Sequence, residues 1–219
     1  MKKLFFVSLS LAVALISCGT SPLYPKKLPL TLKAGDLVFQ DLDCGTLCDA
    51  IESVTQKKGY PRLSHVAVVE TVDSRGVTLI EALGKVRRVS FKEFAKRSRD
   101  SSGRAKILVA RLRQKYLPHI PFFLAEVRMR LGRPYDTDFL PDNGKYYCSE
   151  LISDAMASIG VDLFPRHPIT FGASGSKARK IWEENFKKRG KIVPEGAMGT
   201  NPIDILTSPF VKIIYKYSD

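Results

Sequence analysis

Short apolar runs separated by polar turn signals mark the first half of the chain. Leu37-Val38-Phe39-Gln40 follows the turn Ala34-Gly35-Asp36 and reads as a short strand. Residues 41–56 read as a loop and then a helix, with Leu47, Ile51 and Val54 on one side. After the break at Lys57-Lys58-Gly59-Tyr60-Pro61, a strand opens with Ser64-His65 and runs to about Val72. Asp73-Ser74-Arg75-Gly76 is a hairpin turn signal. Val77 to Glu81 forms the return strand and Lys85 to Ser90 a further short one.

The second half mixes periods. Phe91 to Arg97 reads as a short helix and Ala105 to Leu112 as a strand. Pro121 to Leu131 is a helix stopped by Gly132 and Pro134. Residues 133–146 form a polar loop. A helix from Cys148 to about Ser158 then places Leu151, Ile152, Ala155, Met156 and Ile159 on one buried face, and Gly160 ends it. Residues 162–177 are irregular, 181–188 helical, and 211–217 a last strand. No internal repeat or second domain is visible.

The first residues have a different character. Lys2 and Lys3 precede an apolar stretch from Leu4 to Ile16, about the length of a signal-peptide core and too short for a comfortable membrane span. Leu15-Ile16-Ser17-Cys18-Gly19 resembles a bacterial lipobox, which implies cleavage before Cys18 and lipidation of its thiol. An ordinary signal peptide with an incidental cysteine is the alternative. The expected organisation is a signal peptide at 1–17, a lipidated Cys18 with a proline-bearing tether at 18–33, and one folded domain at 34–219. Gly19 supplies no acidic retention signal, which favours the outer membrane.

Net charge narrows the partners. The chain carries +13, or +11 once Lys2 and Lys3 are removed. Nucleic acid is a poor partner for an exported protein. Anionic lipid headgroups or an acidic cell-wall polymer fit better, although basic charge also serves plain solubility.

The chemistry centres on Cys148 and His65. A thiol in the first turn of a helix lies in the positive end of the helix dipole, which favours thiolate. A histidine on a neighbouring strand can take its proton and return it. A buried structural cysteine and an unrelated strand-end histidine would leave the same residues. A Cys–His pair needs a third group to orient the imidazole. Glu81 is preferred, at the end of the strand that the hairpin lays beside His65. Glu70 lies five residues after His65 on the same strand, so it points to the opposite face about 17 Å away. Cys44 and Cys48 would share one face of a helix, a geometry poorly suited to a disulfide, and are expected as small packing residues. With His65 they lack a fourth ligand, so no metal and no cofactor are expected.

The ordered set Gly35-Asp36-Leu37-Val38-Phe39-Gln40, Ser64-His65-Val66-Ala67-Val68-Val69, Leu79-Ile80-Glu81-Ala82 and Tyr147-Cys148-Ser149-Glu150-Leu151-Ile152 resembles the circularly permuted NlpC-type papain-like cysteine peptidases, the YiiX-like family. Pro194-Glu195-Gly196, Thr200-Asn201-Pro202 and Leu206 resemble that family's tail. The sheet carrying the histidine precedes the cysteine helix, which is the permuted order.

The resemblance implies an α+β papain-like fold, with an antiparallel sheet or small barrel packed against the cysteine helix. It also implies hydrolysis of an amide or related acyl bond by Cys148, His65 and Glu81. The backbone N–H of Cys148 would donate to the oxyanion, and Gln40, Tyr135 and Tyr147 are candidates for a second donor. Glu150 is expected as a brace, and His119 and His167 as surface residues. A peptide or cell-wall peptide is the first substrate class. An acyl lipid is the second, with Phe122, Phe123, Phe139, Leu140, Leu163 and Phe164 available for an apolar cleft. A binding module on an inactive fold is the third.

Overall fold

The computed structural model describes residues 31–216. The expected signal peptide, Cys18 and nearly all of the tether lie outside the described residues. Four strands form as expected: β1 (Leu37–Gln40), β2 (His65–Asp73), β3 (Gly76–Leu83) and β4 (Lys85–Ser90). Two more, β5 (Ile107–Leu112) and β8 (Val211–Lys216), complete an antiparallel sheet in the order β4-β3-β2-β1-β5-β8. The sheet is an open one. Between the last two strands lie the two-residue strands β6 (His167–Pro168) and β7 (Met198–Gly199), paired with each other.

Both faces of the sheet are buried, which is why its strands read as near-continuous apolar runs. One face carries Phe39, Val66, Val68, Ile80 and Leu108. It packs against α3 (Ile120–Met129), α4 (Cys148–Ser158) and α6 (Pro202–Thr207). Leu151, Ile152, Ala155 and Met156 of α4 are fully buried there, as the period of that helix requires. The other face carries Val38, Ala67, Val69, Leu79 and Val109 and is covered by α2 (Phe91–Lys96) through Phe94 and Ala95. Ser90 caps α2, accepting from the Glu93 N–H while Glu93 reaches back to the Ser90 N–H.

A third cluster sits beside the sheet. Ala50 of α1 (Thr46–Thr55) meets Phe171, Trp182 and Phe186, the last two from α5 (Lys177–Lys187). The sequence pattern found α5 only from Ile181, because its first turn is polar and is fixed by the Ser176 cap rather than by burial. It missed α6, a short helix started by Asn201 and Pro202.

Cys44 and Cys48 correct the sequence reading, since they form a disulfide. The expectation placed both on one helix. Instead α1 begins at Thr46, and Gly45 at φ 77° turns the chain so that Cys44 lies before the helix with its Cα 5.4 Å from that of Cys48. The bridge closes a very short loop. Cys48→Ala is expected to lower unfolding stability by about 2 kcal/mol at most. It should also make denaturant midpoints insensitive to reductant. A wild-type midpoint unmoved by reductant would count against the bridge.

Candidate active site

The strand registers put the histidine and the carboxylate together. Ala67 pairs directly with Glu81 across β2 and β3. His65, two residues earlier on the same face, is therefore diagonal to Glu81 and within reach of a long side chain. His65 Nε2 donates to Glu81 Oε2 at 2.8 Å, with both side chains out of solvent. The competing carboxylate, Glu70, is held instead by Arg88 and Arg128.

Two arginines that the sequence reading did not single out complete the grip on Glu81. Arg87, directly opposite Glu81 on β4, donates to Oε1 through Nε and Nη2. Arg97, the C-cap of α2, donates to Oε1 through Nη1 and to Oε2 through Nη2. The tight β3–β4 hairpin, read as a register, would have pointed to Arg87. Nothing local in the sequence points to Arg97. Burial alone would raise the Glu81 pKa, but His65 and Arg97 outweigh it and hold the carboxyl down at about 2.

Cys148 approaches from the other side of the sheet. It is the first residue of α4, and its Sγ lies 3.9 Å from the Ser64 carbonyl at the mouth of β2. Glu81 occupies Nε2 of His65, which leaves Nδ1 for the thiol. Burial would lower the His65 pKa. Hydrogen bonding to Cys148 and Glu81 and their negative charge outweigh this and raise it to about 9. Glu150 caps the start of α4 by accepting from the Tyr147 N–H at 3.4 Å. Burial, then Asp154 and Asp136, raise its pKa to about 8, so near neutral pH it adds little negative charge beside the thiol.

A cleft of about 290 Å³ opens at Cys148. Ser64, Tyr135, Tyr147 and Phe139 line it near the thiol. The three expected oxyanion donors separate here. Gln40 stands opposite His65 on β1, but its Nε2 donates to the Phe94 carbonyl at 2.8 Å and it does not line the cleft. It is a brace for α2, whose Phe94 ring stacks on His65. Tyr147 lines the cleft, but its hydroxyl accepts from the Thr200 N–H at 2.9 Å. Gly199 permits that approach, since a Cβ there would lie 2.6 Å from the same hydroxyl. The Tyr135 hydroxyl has no hydrogen-bond partner among the described residues. Burial, then the charges of Cys148, Tyr147, Asp136 and Glu150, push its pKa well above the ordinary tyrosine value, so it stays a donor.

His167 is at the surface as expected, 42% exposed, and it also lines the cleft, where its Nε2 donates to Asp204 Oδ2 at 2.5 Å. Of the aromatic and leucine residues expected at an apolar cleft, Phe139 alone lines it. Phe123, Leu163 and Phe164 are core, while Phe122 and Leu140 are exposed. The apolar wall comes instead from Ile51, Val54, Phe171 and Trp182. Phe139 is held at φ 54°, a backbone region that non-glycine residues rarely adopt, with its ring against Tyr147 and Trp182.

Comparison with known proteins follows the same lines. The sequence profile described as "Permuted papain-like amidase enzyme, YaeF/YiiX, C92 family" matches residues 31–215. A crystal structure titled as metalloprotein YiiX from Escherichia coli O157:H7 superposes with a TM-score of 0.70 at 19% identity. The match covers 85% of this chain and 98% of that one. No curated protein matches. That title names a metalloprotein. Among the described residues here, no group of three or more His, Cys, Asp or Glu side chains is arranged to hold an ion. Glu81, the carboxylate nearest the Cys–His pair, is already engaged by two arginines.

His65 is expected to titrate near pH 9 in an NMR experiment. Its raised value means that its stabilising contribution is complete below pH 6.5 and is lost as pH rises through about 9. Cys148→Ala removes a partner that raises the value, so the midpoint should fall. An unmoved midpoint would show that the thiol is not the partner of His65.

Proposed function

Because this chain belongs to the permuted papain-like amidase family, we propose that it is a cysteine hydrolase of the bacterial cell envelope, cleaving an amide bond in a peptide or cell-wall peptide. The observation that carries the reading is the His65–Glu81 hydrogen bond with Cys148 beside the same imidazole at the mouth of a cleft.

Cys148, His65 and Glu81 are the proposed triad. His65 takes the Cys148 proton through Nδ1, and Glu81 stabilises the resulting imidazolium through Nε2. The thiolate attacks the carbonyl carbon and an S–C bond forms. The developing oxyanion accepts from the backbone N–H of Cys148, an unpaired donor of the first helical turn, and from the Tyr135 hydroxyl. The C–N bond breaks as His65 gives its proton to the leaving amine. Water, losing a proton to His65, then opens the thioester and releases the acid.

The location is part of the proposal. Leu15-Ile16-Ser17-Cys18-Gly19 supports lipidation at Cys18 and anchoring to a membrane, the outer one where Gly19 follows. The Cys44–Cys48 disulfide supports an oxidising compartment. An acyl-lipid substrate is the second reading, favoured by the apolar wall of Ile51, Val54, Phe171 and Trp182.

Panels of peptide amides, cell-wall peptides and acyl lipids should show turnover that Cys148→Ala lowers by roughly a thousandfold or more. Fast alkylation of Cys148 well below pH 8, lost in His65→Ala, should accompany it. Slow labelling near the ordinary thiol pKa in both proteins would move the weight to a binding module. Tyr135→Phe is expected to lower kcat by about 100-fold with little change in KM. An unchanged kcat would remove Tyr135 from the oxyanion site.

A further inference from the structure

One end of the cleft carries a cluster of polar side chains that the triad chemistry does not use. Lys57, His167 and Asp204 are the only Lys, Arg, His, Asp or Glu side chains among the described residues that line it. They join its two banks. Lys57 follows α1 on one side, while His167 and Asp204 come from β6 and α6 on the other.

The hydrogen bonds of this cluster show which kind of group it lacks. Asp204 accepts from Lys57 at Oδ1, and from His167 and Asn201 at Oδ2. His167 uses Nε2 on Asp204, and its Nδ1 faces the Pro168 carbonyl at 3.1 Å. The Lys57 ammonium donates to Asp204 at 2.6 Å and to Thr207 Oγ1 at 2.9 Å. An ammonium has three protons, so one has no partner among the described residues. The Lys57 side chain is 46% exposed and free to turn it toward a ligand. Trp182, 2% exposed, gives the same cleft an apolar wall. The unfilled position is a cationic donor.

We propose that the Lys57 end of the cleft binds a carboxylate carried by the substrate, whose apolar part lies against Ile51, Val54 and Trp182. The proposal rests on the reading of the cleft as an amide-hydrolysing site and names the substrate's second feature. A carboxylate supplies one negative charge and an acceptor for the remaining Lys57 proton. A phosphate monoester would bring nearly two charges beside Asp204.

Binding separates this inference from the cysteine chemistry. The full chain bearing Cys148→Ala would be titrated by calorimetry with hexanoate, hexanamide and hexyl phosphate, with and without Lys57→Met. Hexanoate should bind about tenfold more tightly than hexanamide, as a charge-assisted bond should over a neutral one. Lys57→Met should close that gap and leave hexanamide unchanged. Equal binding of the two, a gap that survives Lys57→Met, an equal loss for both probes, tighter binding of hexyl phosphate, or no binding of any probe would each overturn the proposal. Failure of the hydrolase reading would look different: the unsubstituted protein would turn over no amide while the hexanoate preference persisted.

Discussion

A fully buried carboxylate, Glu81, constrains the centre of this protein. Removing such a group from water is costly unless its oxygens are fully satisfied. Here both oxygens receive several charged donors, from His65, Arg87 and Arg97. Each donor comes from a different element: β2, β4 and the end of α2. The register of three strands and the docking of one helix must therefore be correct together. The same grip fixes the imidazole, because the bond to Nε2 decides which nitrogen is left for the thiol. Phe94 and Gln40 close the arrangement, one stacking beneath the ring and the other tying α2 to β1.

The sheet divides the work between its faces. His65 and Glu81 belong to the face covered by α2, and α4 with Cys148 packs on the other. They meet only at the end of β2, where the thiol reaches past Ser64. This explains how the Cys148–His65 pair lies at the mouth of a cleft although its members are nearly out of solvent. The apolar stripe of α4 anchors the helix by burial, and its polar first turn is left at the opening. The Glu150 cap satisfies one donor there and, being largely protonated near neutral pH, does not oppose the helix field at Cys148.

The cleft itself is assembled from distant segments. One bank is α1, whose start is fixed by the Cys44–Cys48 bridge. The other is the irregular chain around β6 and β7, held to the start of α4 by the Tyr147 hydroxyl on the Thr200 N–H. The ion pair of Lys57 with Asp204 spans the two banks. Exposed pairs of this kind contribute little to stability, about 0–1 kcal/mol.

The sequence by itself determined the strands β1 to β5, the helix of Cys148 and the order in which they occur, because short apolar runs between turn signals and a 3.6-residue period are local consequences of burial. It also determined that Glu81 and not Glu70 could reach His65, since strand geometry alone sends Glu70 to the wrong face. The permuted order of sheet and cysteine helix was legible for the same reason. Tertiary structure decided the rest. Arg97 reaches Glu81 only because α2 folds across the sheet. Gln40 and Tyr147 lost their places as oxyanion donors to backbone partners at Phe94 and Thr200, which lie 54 and 53 residues away. Cys44 and Cys48 paired because a glycine turn started the helix later than its period suggested. His167 entered the cleft through Asp204, a partner 37 residues on. No local pattern records such pairings, because the hydrogen-bonding needs of a buried side chain are met by whatever the fold brings beside it.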